Sequence, residues 1–269
     1  LLPNAFEPAL VASAARVPLR VGYGTDKRRA LLTHTLAVPI WRAQRHEVFY
    51  YLNIIAETER LLGGESRIEE RAPRLELNVS EARRLEARGL LKASGARLGR
   101  TLVALCPGST NSRAKRWPAA RFAALADMLI DEMGADVALI GASEEREISD
   151  EVVAHMRRRP VLLTGRTTLA QTAALLSVAD LLVTNDTGPA HIAAALACPV
   201  VVIFGPTNPL TTRPFSTLAE VVREPPVCAP CMLRDCPIDH RCMTAITPAD
   251  VFARATKALA RRGMLEVAR

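Results

Sequence analysis

The sequence predicts an α/β fold built on parallel sheet, with an incomplete first unit followed by a complete second one. Three observations predict it. From Thr101 onward, short apolar runs alternate with longer segments of helical period, the pattern of βαβ units. Several of these runs end in turns rich in Gly, Pro, Ser and Thr, where a strand hands over to a helix. Residues 95–100 have linker composition and separate a weakly patterned stretch from the strongly patterned one.

In chain order, residues 9–15 and 46–62 read as helices, residues 20–23 and 75–79 as short strands, and residues 80–92 as a further helix. Residues 101–105 read as a buried strand. Residues 119–133 place Phe122, Leu125, Met128 and Leu129 at helical spacing and stop near Gly134. A strand at 136–140, a polar but periodic helix at 144–156 and a strand at 161–163 follow. Thr168 and Gln171 form a capping box ahead of a helix through Val178. Strand 181–184, helix 189–197 and strand 200–204 come next. Thr247, Pro248 and Asp250 occupy the N-cap, N1 and N3 positions of a final helix through about Arg261.

Composition bounds the function. With 269 residues, 49% hydrophobic and 23% charged, the chain is globular, of one large domain or two α/β units. Aromatic residues are only 4%, which argues against a base-stacking nucleic-acid platform. Lys27, Lys92, Lys115 and Lys257 are the only lysines among 35 basic residues, and the net charge is +7. This arginine excess is either compositional bias or a surface suited to phosphate or carboxylate partners. The longest stretch without Asp, Glu, Lys or Arg, residues 187–212, is broken by Pro189, Pro199, Pro206 and Pro209, so no transmembrane helix is expected. Leu1-Leu2-Pro3-Asn4 reads as the end of a buried strand rather than a start, so residues upstream of Leu1 are expected.

Two strand-to-helix junctions carry phosphate chemistry. The first runs from Cys106-Pro107-Gly108-Ser109-Thr110 to Lys115-Arg116-Trp117-Pro118: a close-approach glycine, two hydroxyls and a cation suit a diphosphate. An ordinary polar loop is the plain alternative. The second is Asn185-Asp186-Thr187-Gly188-Pro189-Ala190-His191, a helix start that attracts anions, although Asp186 or Thr187 as a simple helix cap fits equally. His191 reads as a packing residue as readily as a ligand-binding one. Between them, Gly141-Ala142-Ser143-Glu144-Glu145 offers a carboxylate for a ribose diol, or an acid-rich helix start. There is no Walker A pattern and no G-x-G-x-x-G at these turns, which disfavours an ATPase or an NAD enzyme.

Together with Phe204-Gly205-Pro206-Thr207, Leu1-Leu2-Pro3-Asn4-Ala5-Phe6 and Arg20-Val21-Gly22-Tyr23, these motifs resemble glycosyltransferase family 9, the ADP-heptose:lipopolysaccharide heptosyltransferases, and within it the heptosyltransferase II group. The resemblance implies a GT-B fold, two Rossmann-like doubly wound domains facing a cleft, here with the first one incomplete. It implies an acceptor-binding domain over residues 1–97 and a nucleotide-sugar-binding domain over residues 98–269, the final helix packing back on the first. It also implies an inverting enzyme at the inner face of the cytoplasmic membrane, moving L-glycero-D-manno-heptose from ADP-heptose to a lipid A-core acceptor, with no cofactor required and no nucleic acid as partner. On this mapping Ser109, Thr110 and Lys115 hold phosphates, with Lys115 stabilising the leaving group. Glu144 or Glu145 holds the ribose. Asp186, Thr187, Gly188 and His191 lie at the sugar-phosphate region, Asp186 on sugar hydroxyls or backbone amides. The family's proposed base is an Asp in a segment before the position matched by Leu1, so no residue of this chain is assigned as base and no heptose transfer is expected of the chain as written.

Cys228, Cys231, Cys236 and Cys242, with His240 among them, form a dense cluster that fits reduced structural thiols, a structural zinc or a disulfide. Cys106 and Cys198 sit in apolar strand contexts as core thiols. Another family 9 heptosyltransferase, a GT-B sugar-nucleotide epimerase and, remotely, a basic nucleic-acid-binding protein are the competing functions. An epimerase needs an acid/base pair that the sequence does not display.

Overall fold

The computed structural model describes residues 1–66, 68, 73–97 and 99–267, with side chains to residue 262; Leu98, in the expected linker, lies outside them. The chain divides into two compact units. Unit 1 holds residues 1–74 with Leu210–Thr212, and unit 2 holds Leu75–Pro209 with Arg213–Arg269. By contacts the boundary falls at Arg74/Leu75, ahead of the expected division at 97/98, because the helix before the linker packs into unit 2.

Unit 1 contains α1 (Phe6–Ala14), β1 (Val21–Tyr23), β2 (His34–Leu36) and α2 (Glu47–Leu61), with β1 and β2 paired in parallel. His46 caps α2 by accepting from the Val48 N–H. Tyr23 and Tyr50 stack at 4.1 Å and bury against Ile54. Arg28 is fully buried, its guanidinium spent on the carbonyl oxygens of Tyr23, Pro3 and Ala5. Leu1–Asn4 does not form the expected strand. The Leu1 amino group reaches the Val21 carbonyl at 2.7 Å, but Pro3 has no N–H with which to extend a ladder.

Unit 2 is a six-stranded, all-parallel sheet in the order β5-β4-β3-β6-β7-β8. Its strands are β3 (Leu102–Cys106), β4 (Asp136–Leu139), β5 (Val161–Leu162), β6 (Leu181–Asn185), β7 (Val200–Ile203) and β8 (Ala219–Val222). The helices are α3 (Glu81–Ala93), α4 (Ala119–Met133), α5 (Arg146–His155), α6 (Leu169–Val178), α7 (Gly188–Ala195), the short α8 (Pro209–Thr212), assigned largely to unit 1, α9 (Arg241–Thr244) and α10 (Pro248–Val267). Period-2 alternation sends Val103, Leu105, Val183 and Ile203 to a core with α4, α5 and α10. Ala104, Cys106, Leu182 and Val202 go to the other face, with α3, α6 and α7. Both faces are covered, which is why these strands read as continuous apolar runs.

Local signals set the helix ends. Gly134 ends α4 in the left-handed region, with φ +64°, where a glycine carries no Cβ penalty. Thr168 and Gln171 form the expected capping box of α6. The Asp250 carboxylate accepts from the Thr247 N–H, and the Asp250 N–H donates to the Thr247 hydroxyl, at the start of α10. That helix runs to Val267 rather than Arg261 and packs on α4, β7 and β8 of its own unit.

The strand expected at residues 75–79 is absent. That segment makes one backbone bond, Leu77 N–H to the Ala195 carbonyl at 2.8 Å, and exposes Leu75 and Leu77, so it has no sheet neighbour. Two strands escape the sequence reading, β2 and β8. Both are short, and Glu220 interrupts the apolar pattern of β8. Ion-paired arginines are spread along the chain, from Arg42 to Arg261, rather than gathered in one segment.

Candidate functional site

Strand order reverses direction between β3 and β6: β4 and β5 lie to one side, β7 and β8 to the other. In open parallel sheets a crevice forms beyond the strand ends at such a point, because the two connections leave on opposite faces. The turns after β3 and β6 are the two junctions that the sequence singles out. Between them opens a cavity of about 660 Å³, walled also by the turn after β4 and by the loop after β8. This is the size of a small-molecule site.

Asn185 ties the two junctions together. At the end of β6 it is fully buried. Its Nδ2 donates to the Pro107 carbonyl at 2.8 Å and to that of Gly108 at 3.3 Å, while its Oδ1 accepts from the Trp117 N–H at 3.0 Å. One amide therefore fixes the start of the first turn, its end and the strand beside it. Trp117 is buried below the turn, packed edge-on against Phe122 at 5.0 Å, with its indole N–H on the Ile246 carbonyl at 3.0 Å.

The floor of the cavity carries a charge pair. Lys115 Nζ lies 2.7 Å from Asp186 Oδ2 and 3.2 Å from the Asp186 carbonyl. The Thr207 hydroxyl donates to the same carboxylate oxygen at 2.8 Å. Asp186 and Thr207 are each 5% exposed, whereas Lys115 remains 26% exposed and faces the cavity. The sequence reading gives Asp186 sugar hydroxyls or backbone amides; its partners here are an ammonium and a hydroxyl. Neither Asp186 nor Thr187 serves as a simple cap: α7 starts without any side-chain cap bond, and the Thr187 hydroxyl bonds Thr184 instead. Thr187, Gly188 and Pro189 open the helix at the cavity, so the positive end of its dipole faces that space.

At the other end stands Glu145. Its Oε2 accepts from the Ala142 N–H at 3.0 Å and its Oε1 from the Thr110 hydroxyl at 3.3 Å, so the carboxylate is fixed at both oxygens. A Cβ at Gly108 would stand 2.2 Å from this carboxyl group, so the position needs glycine for space. Glu144 is exposed and is not part of the cavity lining; hydrogen bonds from its own N–H and from the Ser143 hydroxyl hold its carboxyl below the usual range. Gly108→Ala should therefore push the Glu145 carboxylate off the Ala142 N–H and the Thr110 hydroxyl and lower stability by about 1–3 kcal/mol. Thermal melts check this, and an unchanged melting temperature would show that the turn gives way without moving Glu145.

Ser109 is buried at the first turn and lines the cavity, its carbonyl oxygen accepting from Arg116 at 3.1 Å. Thr110 lines it through the hydroxyl already paired with Glu145. His191, one turn into α7, is half-buried and lies outside the lining.

Sequence reasoning missed the last wall. Met232, Leu233 and Arg234 come from the cysteine-bearing loop after β8. Ser112 Oγ donates to the Arg234 carbonyl at 3.2 Å and Ala114 N–H to the same oxygen at 2.9 Å. Met232 N–H donates to the Pro206 carbonyl at 2.9 Å, and the His240 ring bonds the Ala114 carbonyl at 2.5 Å. Cys228 and Cys231 are exposed, Cys236 is half-buried and Cys242 is buried against Gly205. Among the described residues no group of three or more His, Cys, Asp or Glu is arranged to hold a metal ion, the four cysteines included, and all six cysteines are free thiols.

Burial pushes the thiols of Cys106 and Cys198 up to about 12, as their core position requires. At pH 8 only ~10⁻⁴ of each is thiolate, the reactive form. Iodoacetamide on the native protein should label Cys228 and Cys231 and spare Cys106 and Cys198, as read by peptide mass spectrometry. Equal labelling of all four would contradict the packing of β3 and of the turn between α7 and β7.

Comparison with known proteins matches the model of glycosyltransferase family 9 (heptosyltransferase) over residues 1–241. Lipopolysaccharide heptosyltransferase 2 of Escherichia coli is 34% identical over 233 residues, covering 83% of this chain and 64% of that protein. The corresponding protein of Salmonella typhimurium is 33% identical, with the same shares covered. This chain thus spans a little under two thirds of the length of these relatives. The solved structure of E. coli ADP-heptose lps heptosyltransferase II superposes with a TM-score of 0.77 at 28% identity, over 97% of this chain and 76% of that one. A family 9 glycosyl transferase from Veillonella parvula gives a TM-score of 0.78 at 24% identity, over 97% and 72%, a likeness of fold. The fold is the α/β GT-B class expected from the sequence.

Proposed function

Because the chain belongs to glycosyltransferase family 9, the heptosyltransferases, we propose that it contributes the donor site of an inverting, heptosyltransferase II-type enzyme. The reaction moves L-glycero-D-manno-heptose from ADP-heptose to the inner core of lipopolysaccharide. A base removes the proton of an acceptor hydroxyl, the oxygen attacks the anomeric carbon, and the bond to the diphosphate breaks with ADP as leaving group. The base is not assigned to a residue of this chain.

The observation that carries the reading is one cavity at the sheet's switch point whose lining holds both Lys115, on Asp186, and a buried Glu145. The diphosphate lies along the Ser109–Thr110 turn and the start of α7, with Lys115 taking up the charge that develops on the leaving oxygen. Glu145, rather than Glu144, accepts hydrogen bonds from the ribose diol. When phosphate draws Lys115 away, the Asp186 carboxylate, still held by Thr207, is left to accept a sugar hydroxyl. The chemistry needs no cofactor. No helix among the described residues is long and apolar enough to cross a membrane. A lipid-linked acceptor would put the reaction at the cytoplasmic face of a membrane.

Calorimetry tests the donor assignment. ADP and ADP-heptose should bind with one-to-one stoichiometry and compete, and UDP should bind at least about tenfold more weakly than ADP. Folded protein that gives no heat with millimolar ADP would overturn the reading. Incubation with ADP-heptose alone separates it from an epimerase, which would yield the epimeric sugar without acceptor.

A further inference from the structure

We infer that Arg234 is a second cation of the diphosphate subsite, delivered by the loop between β8 and α9. The inference rests on the donor-site reading above and adds to it. Four charged residues line the cavity: Lys115, Arg234, Glu145 and Asp186. Lys115 is neutralised by Asp186 at 2.7 Å, and Glu145 adds a second negative charge. A polyanion entering this space meets no net positive charge from those three residues. Arg234 alone changes the balance.

Its placement is built in. The Arg234 carbonyl accepts from Ser112 Oγ and from the N–H of Ala114, the residue next to Lys115, so the two cations leave adjacent stretches of backbone. The neighbouring carboxylate does not compete for it, because Asp235 is held by Arg113 Nε at 2.7 Å. Among the described residues the Arg234 guanidinium has no carboxylate partner, and the residue is exposed. A planar guanidinium binds two phosphate oxygens at once, which a lysine does not. Because the loop is pinned through backbone atoms and Ser112, the Arg234 side chain is free of structural duty.

Calorimetry on the whole chain with ADP, AMP and adenosine tests this, using the unaltered protein, Arg234→Ala and Arg234→Lys. Arg234→Ala should weaken ADP by about tenfold or more, weaken AMP less, leave adenosine unchanged and leave the melting temperature unchanged. Arg234→Lys should restore part of the loss, and high salt should narrow the gap. If the unaltered protein binds ADP and Arg234→Ala binds it within about twofold, the inference is wrong and the donor site stands. If the unaltered protein binds no ADP, the donor site itself is wrong and the inference falls with it. An equal loss for adenosine would show a merely structural role and also overturn it.

Discussion

Asn185→Ala should destabilise unit 2 by about 3–5 kcal/mol and abolish nucleotide binding with it. The substitution removes one amide that satisfies three backbone groups: the Pro107 and Gly108 carbonyls and the Trp117 N–H. All lie where Asn185 and Trp117 are wholly buried, so water does not readily replace it. Each orphaned buried group costs ~1–3 kcal/mol, against a net gain of only ~1 for a typical bond, so the loss exceeds what three ordinary bonds contribute. Asn185→Asp keeps the acceptor for Trp117 but turns the donor into a second acceptor facing two carbonyls, and it should be comparably damaging. Urea unfolding with an unchanged slope is the measurement. A loss under about 1 kcal/mol would mean that the two junctions are not held by this residue.

On the proposed function, Lys115→Ala should weaken ADP binding and raise the barrier to heptose transfer by about 2–4 kcal/mol, or roughly 30- to 1,000-fold in rate. Two effects add. The leaving diphosphate loses its nearest ammonium, and the Asp186 carboxylate, with only Thr207 left to hold it, turns from a neutralised group into a repelling one. Removing both partners should therefore be less harmful than removing Lys115 alone: Lys115→Ala with Asp186→Asn should recover part of the loss. ADP titrations of the single and double variants, beside melting curves, read this directly. Unchanged ADP affinity in Lys115→Ala would reduce the lysine to a counter-ion for Asp186.

Residues whose function depends on a local motif were legible in the sequence. The β3–α4 and β6–α7 junctions announce themselves because a buried strand, a hydroxyl-rich turn and a helix start follow one another without interruption. The capping residues of α6 and α10 and the stop at Gly134 are equally local. What sequence alone could not supply is what distant segments do to one another. Lys115 and Asp186 are 71 residues apart, and their pairing follows from the strand order rather than from either motif. Glu145 and Glu144 are chemically alike, and only the backbone turn after β4 decides that the first is buried and the second exposed. The wall at Arg234 reaches the Ser112 turn across 122 residues, from a loop whose cysteines drew attention to metal chemistry instead. The short strands β2 and β8 lack the apolar run that marks a buried strand, so their pairing is dictated by neighbours.

On the proposed function a nucleoside diphosphate lies across the switch point between β3 and β6. A crystal structure of the chain with ADP tests this most directly. It should show the diphosphate against the Ser109–Thr110 turn and the start of α7, with Lys115 turned from Asp186 toward phosphate oxygen and the ribose hydroxyls on Glu145. ADP bound elsewhere, or in this cavity with its ribose beside Lys115 and its phosphates against Glu145, would contradict it.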